Sequence, residues 1–263
     1  MKKTVMTAAL LALAGIAPAF AANDDAAEQA ARWQDVATAI FGERAIEDGA
    51  AILKLTAPES AMNAALVPVA VDLIGDRRVV AVSVVIDKNP SPLAGTFRLG
   101  PAFAPQTLKM RVRVNEFTLV HAVAETDDGK LYAVSRFVKA AGGCSAPDAV
   151  ASTDALARMG KMQLRRERAL DASLVPAQLL ISHPNYSGMQ QDPKTGDYTP
   201  ARYLEKVSVT VGGAKAFDLE SGISMSEDPA ISFTYLARDA GTVDIKARDS
   251  SSTEFSQHFD ALQ

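Results

Sequence analysis

Apolar and polar positions change their period along this chain, and the changes divide it. From Asp24 to Arg44, Ala30, Trp33, Val36, Ala37, Ile40 and Phe41 recur at spacings of three and four, the stripe of an amphipathic helix. Asn23, Asp24 and Asp25 suit its positive end and Gly42 its stop. After Ile46 the pattern becomes that of strands. Short candidates run over 51–56, 66–73, 78–86 and 95–99, with Pro68 pointing to an edge or strand start and Asp87-Lys88-Asn89-Pro90-Ser91-Pro92 forming a turn cluster. From Thr107 to Val114 the alternation is regular: Leu108, Met110, Val112 and Val114 share one face, and Lys109, Arg111 and Arg113 the other, as in a half-exposed antiparallel strand. Runs at 117–124 and 130–138 flank Asp128-Gly129, a strong hairpin signal.

Composition shifts at Ala140. The stretch to Thr153 is small and polar and reads as a flexible connector. A second strand-rich region follows, with candidates at 161–165, 177–181, 203–211, 214–219, 229–236, 242–248 and 254–259, and a long polar loop from His183 to Pro200. The fold class expected is all-β: two immunoglobulin-like β-sandwiches in tandem behind one short N-terminal helix. The expected division is 22–45 for the helix, 46–139 for the first sandwich, 140–158 for an arm and linker, and 159–263 for the second sandwich.

Residues 1–21 change the setting. Lys2 and Lys3, an apolar run from Val5 to Ile16, and Ala19-Phe20-Ala21 have the form of an export signal cleaved after Ala21. The apolar run is short of the ~20 residues a membrane span needs, and no later stretch qualifies, so no membrane span is expected. The whole chain is at −4, and loss of the two lysines takes it to −6. That balance argues against a nucleic-acid partner. The setting expected is periplasmic.

Export makes the single cysteine, Cys144, informative. An oxidising compartment favours paired cysteines, so a lone thiol there is either buried and inert, or kept for its chemistry or for a disulfide between two copies. Its neighbours are Gly142, Gly143 and Ser145. Two glycines before it make a flexible arm, small neighbours let a partner's cleft approach, and the six residues from Val138 reach ~20 Å if extended. The arm reading outweighs a buried cysteine, and it expects an exposed thiol that holds a substrate covalently. Other candidates carry less. His121, His183 and His258 have no metal-ligand spacing, and a hydrogen-bonding or exposed role suits them better. Asp127 and Asp128, followed by Gly129, are hairpin residues rather than a carboxylate pair. The cations from Lys161 to Arg168 read as a solvated strand edge before a docking patch. No catalytic constellation, metal site or cofactor is expected.

The first half resembles SoxY, the sulfur carrier of periplasmic thiosulfate oxidation. The resemblance rests on Asp87-Lys88-Asn89-Pro90, Thr96-Phe97, Ala124-Glu125, Asp128-Gly129, Tyr132, Val138-Lys139 and Gly142-Gly143-Cys144. The second half is similar to SoxZ, through Leu180-Ile181-Ser182-His183-Pro184, Gly188, Lys194-Thr195-Gly196, Pro200-Ala201, Tyr203, Val207, Asp228-Pro229 and Ser232-Phe233. The resemblance implies sandwiches in both halves that pack on each other. It also implies a carrier without turnover of its own, with Cys144 holding sulfur intermediates for periplasmic sulfur-oxidation enzymes. One departure stands out: the family's carrier chain ends just after its cysteine, whereas here Ser145-Ala146-Pro147 lead on into the second half. Fusions of this type look like carriers associated with quinoprotein (PQQ-dependent) alcohol dehydrogenases. That leaves two expectations: a covalent carrier, or a non-covalent docking module for such a dehydrogenase and its cytochrome.

Overall fold

The computed structural model describes residues 19–147, 152–167, 173–192, 195–237 and 241–260. Residues 1–18 of the expected export signal lie outside them. The chain is mostly strand, 51% of it, in two sheets. Helix α1 (Ala19–Phe41) comes first. It stops where Gly42 adopts φ 67° and returns its N–H to the Thr38 carbonyl, a left-handed helix end that favours glycine.

The first half supplies β1 (Ile46–Asp48), β2 (Leu53–Thr56), β3 (Val67–Leu73), β4 (Val79–Ile86), β5 (Leu93–Leu99), β6 (Thr107–Val112), β7 (Thr118–Thr126) and β8 (Leu131–Val138). A short helix, α2 (Ser152–Ala157), sits in the stretch expected to be a flexible linker. Arg158, just after it, is tied to Asp228 by an ion pair of 2.6 Å. The second half supplies β9 (Met162–Arg166), β10 (Leu174–Ile181), β11 (Leu204–Val211), β12 (Ala214–Ser221), β13 (Ala230–Leu236), β14 (Thr242–Asp249) and β15 (Glu254–Asp260).

The two halves are joined edge to edge in both layers. One sheet runs β1-β8-β7-β4-β5-β12-β11-β14-β15 and the other β2-β3-β6-β13-β10-β9. In the larger sheet β5 and β12 pair antiparallel from Gly95 opposite Ser221 to Leu99 opposite Phe217. In the smaller, β6 meets β13 at Lys109 opposite Ser232. Each half is a sandwich, and each continues its neighbour's sheets, so apolar side chains of both form one core. Phe97, Phe217 and Phe233 stack edge to face across the seam, with centroids 5.5 and 5.0 Å apart. Such pairs add about 0.5–1.5 kcal/mol each to the burial of the rings.

Alternation sets the inner face. Strand β10 alternates buried and half-buried positions along its whole length. Strand β4 departs from this, with Ala81 through Ile86 all buried. Its outer face lies under α1, where Ile40 and Phe41 line a cleft over Ser83 and Thr96. Farther along the helix Trp33 stacks on His121 at 3.7 Å and 9°.

Candidate functional site

Cys144 lies where the two halves meet, and it is closed in. It has no exposed surface, although it is absent from the apolar core that fills the sandwiches. The expectation of an exposed thiol on a flexible arm is therefore corrected. The arm is pinned along its length: Gly142 N–H donates to Asn115 O at 2.8 Å and Gly143 N–H to Val114 O at 3.0 Å. The Ser187 hydroxyl, from the second half, donates to the Cys144 carbonyl at 2.5 Å. Ser145 is exposed and its hydroxyl reaches back to Gly142 O at 3.4 Å.

The two glycines have different uses. Gly142 is exposed, with open space where a Cβ would sit, but its φ of 75° is one that side chains disfavour. Gly143 is needed for room. A Cβ there would stand 2.1 Å from Ala64 O and 2.6 Å from Val114 O, far inside contact distance.

Beneath the arm is Arg113, 1% exposed. Its guanidinium donates to Gly143 O at 3.2 Å and to Asn185 O at 3.4 Å, so one cation holds the cysteine arm to the second half. Asn89 braces it, donating from Nδ2 to Arg113 O at 2.7 Å and to Ser224 Oγ at 2.9 Å. Alternation had put Arg113 on a solvated face with Lys109 and Arg111. That face is covered here, because β6 ends at Val112 and the chain beyond it runs under loops of the second half. Burial pushes the Cys144 thiol up to about 11, and Arg113 opposes the shift without cancelling it. In this arrangement the thiol is protonated at neutral pH and poorly nucleophilic.

The neighbouring segment from His183 to Gln190 is polar and internally hydrogen-bonded. Gln190, 2% exposed, accepts from Ser187 N–H at 2.9 Å. His183 has its Nδ1 2.7 Å from Asn185 Oδ1 and its Nε2 3.6 Å from Asp249. Burial holds the His183 pKa below the usual imidazole range. Asp249 also accepts from Arg202 Nε at 2.8 Å. The hydrogen-bonding role expected of His183 is what these contacts describe. His121 is buried against Asp87 at 3.0 Å, and His258 is exposed beside Asp244. Among the described residues no three His, Cys, Asp or Glu side chains gather as metal ligands do, and no helix is long and apolar enough to cross a membrane. Asp127, Asp128 and Gly129 form the β7–β8 turn, with Gly129 at φ 79°. A disulfide between copies through Cys144 has no support in a sulfur without exposed surface.

Sequence reasoning found Cys144 and its glycines and missed Arg113, Asn185, Ser187 and Gln190. The only available signal was Arg113 at the last polar step of the alternating run, next to the turn that follows β6.

The comparisons with known proteins agree with this division. Residues 37–144 match the family of sulfur oxidation protein SoxY, and the match ends on Cys144. Residues 163–260 match the family of sulphur oxidation protein SoxZ. No curated protein matches the chain. Among solved structures, the sulfur carrier protein SoxY from Chlorobium limicola f thiosulfatophilum is 29% identical, over 44% of this chain and 98% of that one, with a TM-score of 0.38. A superoxide reductase (neelaredoxin) from Ignicoccus hospitalis is 15% identical, over 40% of this chain and 90% of that one, with a TM-score of 0.30. The two family matches assign the protein: it belongs to the sulfur-oxidation proteins as a SoxY-family domain and a SoxZ-family domain joined in one polypeptide.

Proposed function

We propose that the protein is a periplasmic carrier of sulfur oxidation that holds sulfur, or another thiol-linked intermediate, covalently on Cys144 for partner enzymes, without turnover of its own. One observation carries the reading: the only cysteine of the chain is the last residue of the SoxY-family match and sits on an arm clasped by the SoxZ-family half. Export through residues 1–21 is part of the same proposal.

The closed arm is then a resting state. Opening breaks the hydrogen bonds from Gly142, Gly143, Ser187 and Arg113 described above. At a net 0.5–1.5 kcal/mol each, closure is favoured by about 2–6 kcal/mol. An open form on the order of 10⁻² to 10⁻⁴ of the molecules follows. Opening returns the thiol toward a pKa of about 8.5, where a useful fraction is thiolate. A partner that binds the open arm pulls the equilibrium over, and an idle carrier keeps its thiol from stray oxidants.

The buried thiol favours a second reading, a non-covalent accessory module for a quinoprotein alcohol dehydrogenase system in which Cys144 is only structural. Intact-protein mass spectrometry on protein taken gently from its native compartment separates the two. Reductant-sensitive adducts on wild type that are missing from Cys144→Ser establish the carrier, and a mass starting at Ala22 establishes export. A thiol that stays unmodified while sulfur oxidation runs leaves the accessory reading.

A further inference from the structure

A continuous cleft away from Cys144 lies on the outer face of the smaller sheet, across the seam between the halves. Its volume is about 640 Å³. The strand register places Ala70, Lys109, Ser232, Gln178 and Arg165 in one row across β3, β6, β13, β10 and β9. Lys109 and Arg165 are thus three strands apart, roughly 14 Å. Arg111 is two residues along β6 from Lys109, roughly 7 Å. Small side chains of Ala230 and Ser232 between the cations, and of Ala70 beyond Lys109, make the trough.

The charge is one-sided. The cleft is lined by Lys109, Arg111 and Arg165 and by no carboxylate, in a chain with 31 acidic residues against 27 basic. Lys109 and Arg165 are exposed. Among the described residues none of the three is in an ion pair: Arg111 donates to the Asp228 carbonyl at 2.7 Å and Arg165 reaches Gln163 at 3.5 Å. Arg111 itself is one of the lining residues.

We propose that this cleft docks an extended acidic segment of a partner protein. An extended segment presents carboxylates every second residue at about 7 Å, the Lys109–Arg111 spacing, and its backbone fits over small side chains. A flat lipid surface has no means to fill a trough, and a net-negative chain repels nucleic acid. The trough needs both halves, since Lys109 and Arg111 come from one and Arg165 from the other. The same strand leads on from Arg111 to Arg113 under the cysteine arm, so a segment seated here brings its protein to Cys144. The proposal concerns docking alone and holds whether Cys144 carries cargo or not.

The test is fluorescence anisotropy with a labelled ten-residue peptide of alternating glutamate and alanine at low salt. Wild type and Cys144→Ser are expected to bind it saturably and alike. Lys109→Glu/Arg165→Glu is expected to weaken binding about ten-fold or more, and Lys206→Glu/Lys246→Glu, the same charge change on the other sheet, to leave it within about two-fold. If the first variant melts lower than wild type, Lys109→Gln/Arg165→Gln replaces it, with at least about five-fold weakening expected. Equal losses in the two reversals overturn the proposal. So does absence of peptide binding, or binding only to phosphatidylglycerol vesicles or to a ten-residue oligothymidylate.

Discussion

Gly143→Ala tests whether the closed arm controls Cys144. The added Cβ would sit 2.1 Å from Ala64 O and 2.6 Å from Val114 O, both backbone atoms that cannot rotate away. The arm must lift, and the bonds from Gly142 N–H, Gly143 N–H, Arg113 and Ser187 go with it. Losing the ~2–6 kcal/mol that hold the arm raises the open population between roughly 30-fold and 10⁴-fold, up to complete opening. The assay is the rate of alkylation by iodoacetamide at pH 7.5, with circular dichroism to confirm the fold. Wild type is expected to react at least about 30-fold more slowly than a free cysteine peptide, and Gly143→Ala to approach the peptide's rate. The pH profile adds a second check. In a mostly open Gly143→Ala the thiol titrates near about 8.5 and the rate should level off just above that pH, whereas the wild-type rate should keep rising toward the closed value of about 11. A wild type that reacts like the free peptide, or a folded Gly143→Ala that reacts as slowly as wild type, refutes the reasoning.

Further outcomes follow from the same contacts. Cys144 holds its proton more tightly folded than unfolded, so the unfolded chain binds fewer protons and stability falls as pH rises from about 8.5 toward 11; denaturant melts should lose up to about 1.4 kcal/mol per pH unit there, and Cys144→Ser should remove that slope. His183 is the reverse case: its pKa is lowered by burial, so the unfolded chain takes up protons first and stability drops as pH falls below about 6.5, a slope that a His183→Gln variant should flatten. Phe217→Ala opens the seam core and should cost about 3–5 kcal/mol, in a single thermal transition because both halves share that core; two separate transitions in the wild type would contradict the shared core. Arg113→Met leaves the Gly143 and Asn185 carbonyls without their donor and should cost about 2–5 kcal/mol by chemical denaturation.

Local pattern was enough for much of the fold. Alternation marked β6, and Asp128-Gly129 marked the β7–β8 hairpin, because side-chain direction and turn geometry are properties of a few adjacent residues. The helical stripe through Trp33 and Ile40 likewise marked α1, and the arm at Cys144 stood out because small residues replace the strand pattern there. What covers each of these faces was not written locally. His121 is buried because Trp33, far away in sequence, lies on it. Arg113 continues the polar face of its strand and is nonetheless 1% exposed, because Asn185 and Gly143 close over it from two other parts of the chain. The same holds for the thiol. Gly142-Gly143 confers freedom on an isolated segment, but in the folded protein Asn115, Val114 and Ser187 take up that freedom with hydrogen bonds. Sequence alone located the strands other than β1, the stretch that breaks them and the place of the chain's one thiol. Only the tertiary structure decided that the two sandwiches fuse through β5–β12 and β6–β13, and that the thiol is closed at their junction, since edge pairing and burial depend on partners that one-dimensional periodicity does not name.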